Sequence, residues 1–195
     1  CNYPIIIARK EFSYKKNGLL VYVGGISDSR GIITMLDALG KVDFKLNLAG
    51  RFFNDQIEAQ AKAHKAWSKV NWKSYLDADS VFDLLTNSAI GLVLLKPFKS
   101  YKESLPVKMF EYMNAAIPII ASDFPLWKEI VEDANCGICV KPNNIDEIVN
   151  AIEFLQENTD KAEEMGKNGQ KAVLEKYNWK YESEKLLNLY KNLLK

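Results

Sequence analysis

Six short apolar runs recur along the chain, and between them lie longer segments whose apolar residues return every three or four positions. The runs are LLVYVG from Leu19, FKLNLAG from Phe44, KVNW from Lys69, IGLVLL from Ile90, IPIIAS from Ile117 and GICV from Gly137. Runs this short and apolar suit strands buried on both faces, and a helix between consecutive strands returns the chain so that neighbours pair in parallel. The alternation predicts an α/β fold: a doubly wound parallel sheet of about six strands, with helices on both faces and a helical C-terminus. Helical period places the helices at 30–39, 55–67, 79–88, 106–115, 125–132 and 145–156. After Glu157 the pattern stays helical to the end, with one break expected at KNGQ (167–170) and another at YNW (177–179). Residues 1–17, with Pro4 and mixed polarity, read as a connector from a preceding domain, 18–176 as the folded domain and 177–195 as a terminal helix.

A chain of 195 residues, 48% hydrophobic, can enclose one full core. Lys+Arg 26 against Asp+Glu 25 leaves a formal net charge of +1, so no global field gathers nucleic acid or an acidic membrane. Any ligand charge must be met locally. Cys1, Cys136 and Cys139 are odd in number and lack a repeated metal spacing, which fits a reducing compartment. In CGIC, Ile138 and Val140 continue an apolar run, so the segment reads as a strand rather than a redox motif. No apolar run is long enough to span a bilayer, and no basic start leads into a signal-like core. The expected location is the cytoplasm, with at most peripheral contact with the inner face of a membrane.

A doubly wound sheet nominates its own ligand crevice, at the carboxyl ends of the first and fourth strands where the winding reverses. The first strand ends in VGGISDSRG. Gly24 and Gly25 let the backbone approach a ligand closely, and Ser27, Asp28 and Ser29 offer caps for a helix with Arg30 in its first turn. A helix N-terminus beside a guanidinium is an anion site. The fourth strand leads into LLKPFKSYKESLPVKMFE, which brings Lys96, Lys99, Lys102 and Lys108 to the same rim. In a nearly neutral protein this local charge points to phosphate, although strand-end glycines are ordinary turn residues and surface lysines are ordinarily solvated.

Within that segment ESLPVKMFE sets Glu103 and Glu111 eight positions apart. Pro106 suits the start of a helix, leaving Glu103 in the loop and Glu111 more than a turn inside. On a continuous helix the two would stand ~12 Å apart and roughly 80° out of phase. That is a poor match to paired hydrolase carboxylates, which stand about 5–9.5 Å apart. Two readings stay level: the carboxylates grip different hydroxyls of one extended ligand, or Glu111 pairs with Lys108 on one helix face and Glu103 is a loop charge.

The stretch ESLPVKMFEYMNAAIPIIASD, Glu103 to Asp123, resembles the E-x7-E signature of the family 4 glycosyltransferases, retaining sugar-nucleotide-dependent enzymes of GT-B fold. It is also similar to the family variant L-P-x-K-x-F-E-Y-M-A-A-G-x-P-V-I-A. The similarity extends through VYVGGISDSRG, LAGRF, VNWKSYL, NCGICVKPNNIDEIVNAI and EKYNWKYESEKLLNLY, and so covers nearly the whole chain. It implies the Rossmann-like C-terminal half of a GT-B fold, binding a UDP-sugar or GDP-sugar donor without a metal or other cofactor. By that resemblance Glu103 would contact the donor sugar near its reacting end and Glu111 the ribose hydroxyls. Arg30 would meet the diphosphate, with Lys108 as a further catalytic cation, and Gly24 and Gly25 would form the phosphate-facing turn. Ser104, Leu105, Pro106, Val107 and Tyr75 would complete the donor surface. A glycan or lipid-linked acceptor would be held by a separate N-terminal domain.

The sequence departs from the family pattern twice. Gly25 stands where many members carry arginine, leaving one fewer cation, which Lys108 or another rim lysine is placed to replace. Ala116 stands where the family often has glycine, expected here as a harmless tightening of a turn.

Three further features have ordinary readings. The DAD at Asp77–Asp79 resembles the metal-holding Asp-x-Asp of the other large glycosyltransferase fold, but it directly precedes SVFDLL and reads as a helix cap. His64, the only histidine, reads as a surface residue. Apolar residues recur along the terminal segment at Trp179, Leu186, Leu187, Tyr190, Leu193 and Leu194, a stripe that in the resembling enzymes braces the N-terminal domain. Two other functions stay open at this stage: a Rossmann-like binding or regulatory module without transfer, and a GT-B nucleotide-sugar epimerase.

Overall fold

The computed structural model describes residues 18–179 together with 183, 184, 187, 190 and 191. The 1–17 connector and Leu186, Leu193 and Leu194 of the terminal stripe lie outside the described residues. All six apolar runs form strands: β1 Leu19–Val23, β2 Lys45–Ala49, β3 Val70–Lys73, β4 Ile90–Val93, β5 Ile119–Ser122 and β6 Gly137–Val140. They make one all-parallel sheet in the order β3-β2-β1-β4-β5-β6. The helices are α1 Ile32–Leu39, α2 Asp55–Lys62, α3 Ala78–Thr86, α4 Lys99–Lys102, α5 Val107–Asn114, α6 Pro125–Asp133, α7 Ile145–Glu157 and α8 Thr159–Glu175.

The period-two alternation of side chains divides the core between the two faces of the sheet. Leu20 and Tyr22 of β1 join Leu46, Leu48 and Leu92 under α1, α2 and α7. Val21 joins Val93, Ile119 and Ala121 under α3, α5, α6 and α8. Among the described residues no helix is long and apolar enough to cross a membrane.

Four local expectations change. The helix expected over 30–39 is split into a 3-10 turn, Asp28–Arg30, and α1, with Gly31 between them at φ +79°. That position requires glycine, because a Cβ there would overlap the carbonyl oxygen of Leu94. The helix expected over 55–67 stops at Lys62 because His64 is extended. Its Nδ1 accepts from the Ala66 amide at 3.1 Å, starting a 3-10 turn, and Nε2 lies 3.2 Å from Asp37 Oδ1, so His64 is a half-buried cap rather than a free surface residue.

No break occurs at KNGQ: α8 runs through it, and Gly166 and Gly169 are contact points where the helix lies on the Ala116 backbone and on Met113. The break at YNW is present, and Asn178 donates to the carbonyls of Val173 and Leu174 at 3.0 and 2.9 Å, satisfying the helix end. Finally, Ala116 sits at φ +54°, so the alanine in place of glycine is not harmless: it holds a left-handed conformation that disfavours a Cβ.

Candidate functional site

The winding reverses between β1 and β4, as the alternation predicts, and the carboxyl end of β1 opens into Gly24 and Gly25. Of β1, only Leu20 and Val21 pair with β4, and the Val23 amide is satisfied instead by Tyr112 Oη of α5 at 2.8 Å. The strand end is closed from the other side by backbone approach. Gly50, at φ +145°, has no room for a Cβ because the Gly24 carbonyl occupies that space. Tyr22 Oη donates to the Gly25 carbonyl at 2.7 Å, fixing the outgoing turn.

Against Gly24 converge two cations, each with a buried donor nitrogen that has no hydrogen-bond partner. Lys108, near the start of α5, is buried, and its Nζ has no hydrogen-bond partner and stands 3.6 Å from the centroid of the Tyr22 ring. Arg30 has its Nε buried without a partner, and its guanidinium lies 5.2 Å from the centroid of Phe53. A Cβ placed on Gly24 would come 3.1 Å from Lys108 Nζ and 3.9 Å from Arg30 Nη1, so the glycine leaves open the space both cations border.

Burial pushes the Lys108 amine well below the usual lysine range, Arg30 pushes it further, and Glu111 opposes both. Burial raises the Glu111 carboxyl, and Lys108 draws it back down. Buried polar groups are ordinarily hydrogen-bonded, so two orphaned donors on one crevice mark a place built for an acceptor-rich, anionic ligand.

Beside this crevice lies a cavity of about 310 Å3, bordered by Gly25, Gly50, Arg51, Phe53, Tyr75 and Val81 among others. Tyr75 is 69% exposed, with Arg51 5.6 Å from its ring centroid. A Cβ on Gly25 would overlap the Phe53 ring, so a side chain there requires that exposed ring to move aside. Tyr22 and Phe53 are site residues that the sequence reading missed. The available sign was a tyrosine in an otherwise aliphatic strand, LLVYV, and an exposed aromatic pair, FF, directly after the second strand end.

The structure brings Arg30, Lys108, Glu111 and Gly24 together, with Gly25 and Tyr75 on the adjoining cavity. It does not gather the rim lysines. Lys96 Nζ donates to both Asp28 carboxylate oxygens at 2.7 Å, and Lys99 lies 3.9 Å from Glu103. Lys102 borders a separate, larger recess of about 810 Å3 near the carboxyl ends of β5 and β6. There Lys41 and Lys141 are already paired with Asp146 and Glu147, so size alone does not make it a reactive site. Nor do the expected caps form. No side chain caps the 3-10 turn: Asp28 is committed to Lys96, and Ser27 and Ser29 face each other with Oγ atoms 3.0 Å apart.

Glu103 is the exposed C-cap of the unforeseen short helix α4. Its neighbour Ser104 accepts from Trp127 Nε1 at 2.6 Å through its carbonyl, which fixes the approach to α5. Leu105 and Pro106 are half-buried, Pro106 is the N-cap of α5, and Val107 is exposed. Asp77 caps α3, accepting from the Ser80 amide at 2.8 Å. Among the described residues no group of three His, Cys, Asp or Glu side chains is placed to hold a metal ion.

Comparison with known proteins gives a consistent answer. The family described as glycosyl transferases group 1 matches residues 5–172. An alpha-D-kanosaminyltransferase of Streptomyces kanamyceticus is 23% identical over 190 residues, covering 95% of this chain and 48% of that protein, so the chain spans about half its length. Among solved structures, an S. aureus TarM mutant in complex with fondaparinux, alpha-GlcNAc-glycerol and UDP has a TM-score of 0.78 at 21% identity, covering 96% of this chain and 38% of that one. Anabaena HepE in complex with UDP has a TM-score of 0.79 at 17% identity, covering 91% and 49%. At these identities the solved structures show a shared fold.

Proposed function

Because the chain belongs to the glycosyl transferases group 1 family, we propose that it is the donor-binding domain of a retaining, family 4 glycosyltransferase. In this reading the enzyme moves a sugar from a nucleoside diphosphate sugar, uridine or guanosine, to a glycan or lipid-linked acceptor in cell-surface polysaccharide synthesis. The observation that carries it is the pair of buried donors without partners, Lys108 Nζ and Arg30 Nε, set against Gly24 with Glu111 beside Lys108.

Each part has a task in this reading. The diphosphate enters against Gly24, where Arg30 and Lys108 meet the charge that grows as the glycosidic bond to phosphate breaks, in a crevice too dry to screen it. Glu111 accepts from the ribose hydroxyls. The base occupies the cavity between Gly50, Arg51 and Tyr75. Glu103, with the backbone from Ser104 to Val107, faces the donor sugar. Because the leaving-group charge is met by side chains, no metal ion is required. The acceptor is held by the other half of the longer protein. The UDP complexes of fold relatives support this assignment.

Calorimetry with UDP and GDP tests it. Glu111→Ala should cost roughly 1.5–3 kcal/mol of nucleotide affinity, as for a hydrogen bond to a charged group. Unchanged affinity in a folded variant would remove Glu111 from the site.

A further inference from the structure

We propose that the Lys108 amine is uncharged in the empty crevice and takes up one proton as a diphosphate enters, so that donor binding is coupled to protonation of the group that then holds the leaving phosphate. This rests on the diphosphate reading above and adds a switch to it.

The argument begins with surroundings rather than titration. An ammonium has three donors and needs acceptors or water, yet Lys108 Nζ has no hydrogen-bond partner and is shut away from solvent. One side of it is the Tyr22 ring of β1, whose phenol is turned outward to the Gly25 carbonyl and stays protonated because burial raises it. Another side is the Arg30 guanidinium from the 3-10 turn, a like charge. From α5 itself comes Glu111, which together with the face of the Tyr22 ring favours the charged amine, and the hydroxyl of Tyr112 is already occupied by the Val23 amide. Tyr101 of α4 opposes ionisation of Tyr22, and its hydroxyl lies 3.1 Å from Ser29 Oγ. Desolvation and Arg30 together outweigh Glu111, which holds the amine's proton affinity well below the usual lysine range while the crevice is empty.

A diphosphate reverses the balance. Its oxygens supply the missing acceptors and at least two negative charges, which cancel the repulsion from Arg30. The amine then accepts a proton from solvent, RNH2 becoming RNH3+, with no bond to carbon or phosphorus altered. An empty crevice thus avoids two buried positive charges side by side, and the full charge appears only with the ligand that needs it.

The test is calorimetry of the 195-residue chain with UDP, and GDP in parallel, in buffers of contrasting ionisation enthalpy between about pH 7.5 and 9. In that range the terminal phosphate, with a second pKa of about 6, is already ionised and contributes no proton of its own. The expected result is net uptake approaching about one proton per nucleotide, lost in both Lys108→Arg, which is charged throughout, and Lys108→Met. Lys108→Met should also weaken UDP roughly tenfold or more while leaving uridine nearly unaffected. If UDP binds and Lys108→Met weakens it but the heats do not vary with buffer, the proton coupling is wrong and the diphosphate site stands. If neither nucleotide binds, or Lys108→Met weakens uridine as much as UDP, the diphosphate reading fails and the coupling with it.

Discussion

Lys108 Nζ stands 3.6 Å from the centroid of the Tyr22 ring and makes no hydrogen bond. An amine so placed costs the unliganded fold stability, since a buried donor without a partner forfeits its hydration. Lys108→Met, which keeps the length of the side chain and removes the polar head, is expected to stabilise the ligand-free protein by about 0.5–2 kcal/mol in urea unfolding. The pH dependence follows from the lowered affinity for a proton. Between the depressed folded value and the usual lysine pKa of about 10.4, the unfolded chain binds a proton that the native chain lacks, so stability rises with pH across that window. Lys108→Met should remove that rise. An unchanged pH profile would show that the amine keeps its ordinary proton affinity.

Arg30→Ala should discriminate among ligands. Its guanidinium lies beside Gly24, at the edge of the 310 Å3 cavity and not among its lining residues, so the variant is expected to lose roughly tenfold or more in affinity for UDP or GDP and little for the nucleoside alone. A chelator should leave nucleotide binding intact in the parent chain. A strict requirement for a divalent cation would reassign the leaving-group charge to a metal.

Ala116→Gly should stabilise. The residue holds φ +54°, and a glycine there removes the left-handed penalty at the cost of a freer unfolded chain, for a net gain of roughly 0.5–1 kcal/mol. Chemical denaturation with an unchanged m-value is the measurement. A loss of stability would mean that the alanine methyl, which is buried, contributes more through packing than its backbone costs.

Cys136 and Cys139 should be inert. Burial pushes both thiols up to about 12, so at neutral pH almost no thiolate is present. In the folded protein both are expected to react with a disulfide reagent only at the rate of unfolding. Fast modification of Cys139 in native buffer would contradict this.

The sheet was legible because its information is local: six uniformly apolar runs, each too short for a helix, separated by helical period. With the first strand taken as central, winding rules nominated the crevice between β1 and β4, and the observed strand order has that arrangement. What escaped was tertiary. KNGQ carries a poor helix former and reads as a break, but packing on Ala116 and Met113 overrides propensity. The four lysines of the fourth loop look equivalent in sequence, and only the fold separates Lys108, turned inward beneath Tyr22, from Lys96, which is tied to Asp28 across the crevice wall. Arg30 was placed correctly but on the wrong element, because the need for glycine at position 31 depends on the Leu94 carbonyl, 63 positions along the chain. Of the terminal stripe, Trp179, Leu187 and Tyr190 are exposed.

α8 borders no part of the 310 Å3 cavity, yet it packs directly behind the helix that carries Lys108 and Glu111. Gly166 meets the Ala116 carbonyl just past the end of α5, Gly169 meets Met113 within it, and the Tyr177 ring lies 5.4 Å from that of Phe110, the residue before Glu111. The two glycines work as a thin shim behind the helix that carries both Lys108 and Glu111. Thickening that shim by one methyl group would push α5 forward as a unit, so the spacing of Glu111 and Lys108 would be kept while both shifted against Gly24 and Arg30. The gap beside Gly24 is therefore gauged from the back of the sheet, by residues that border no part of it.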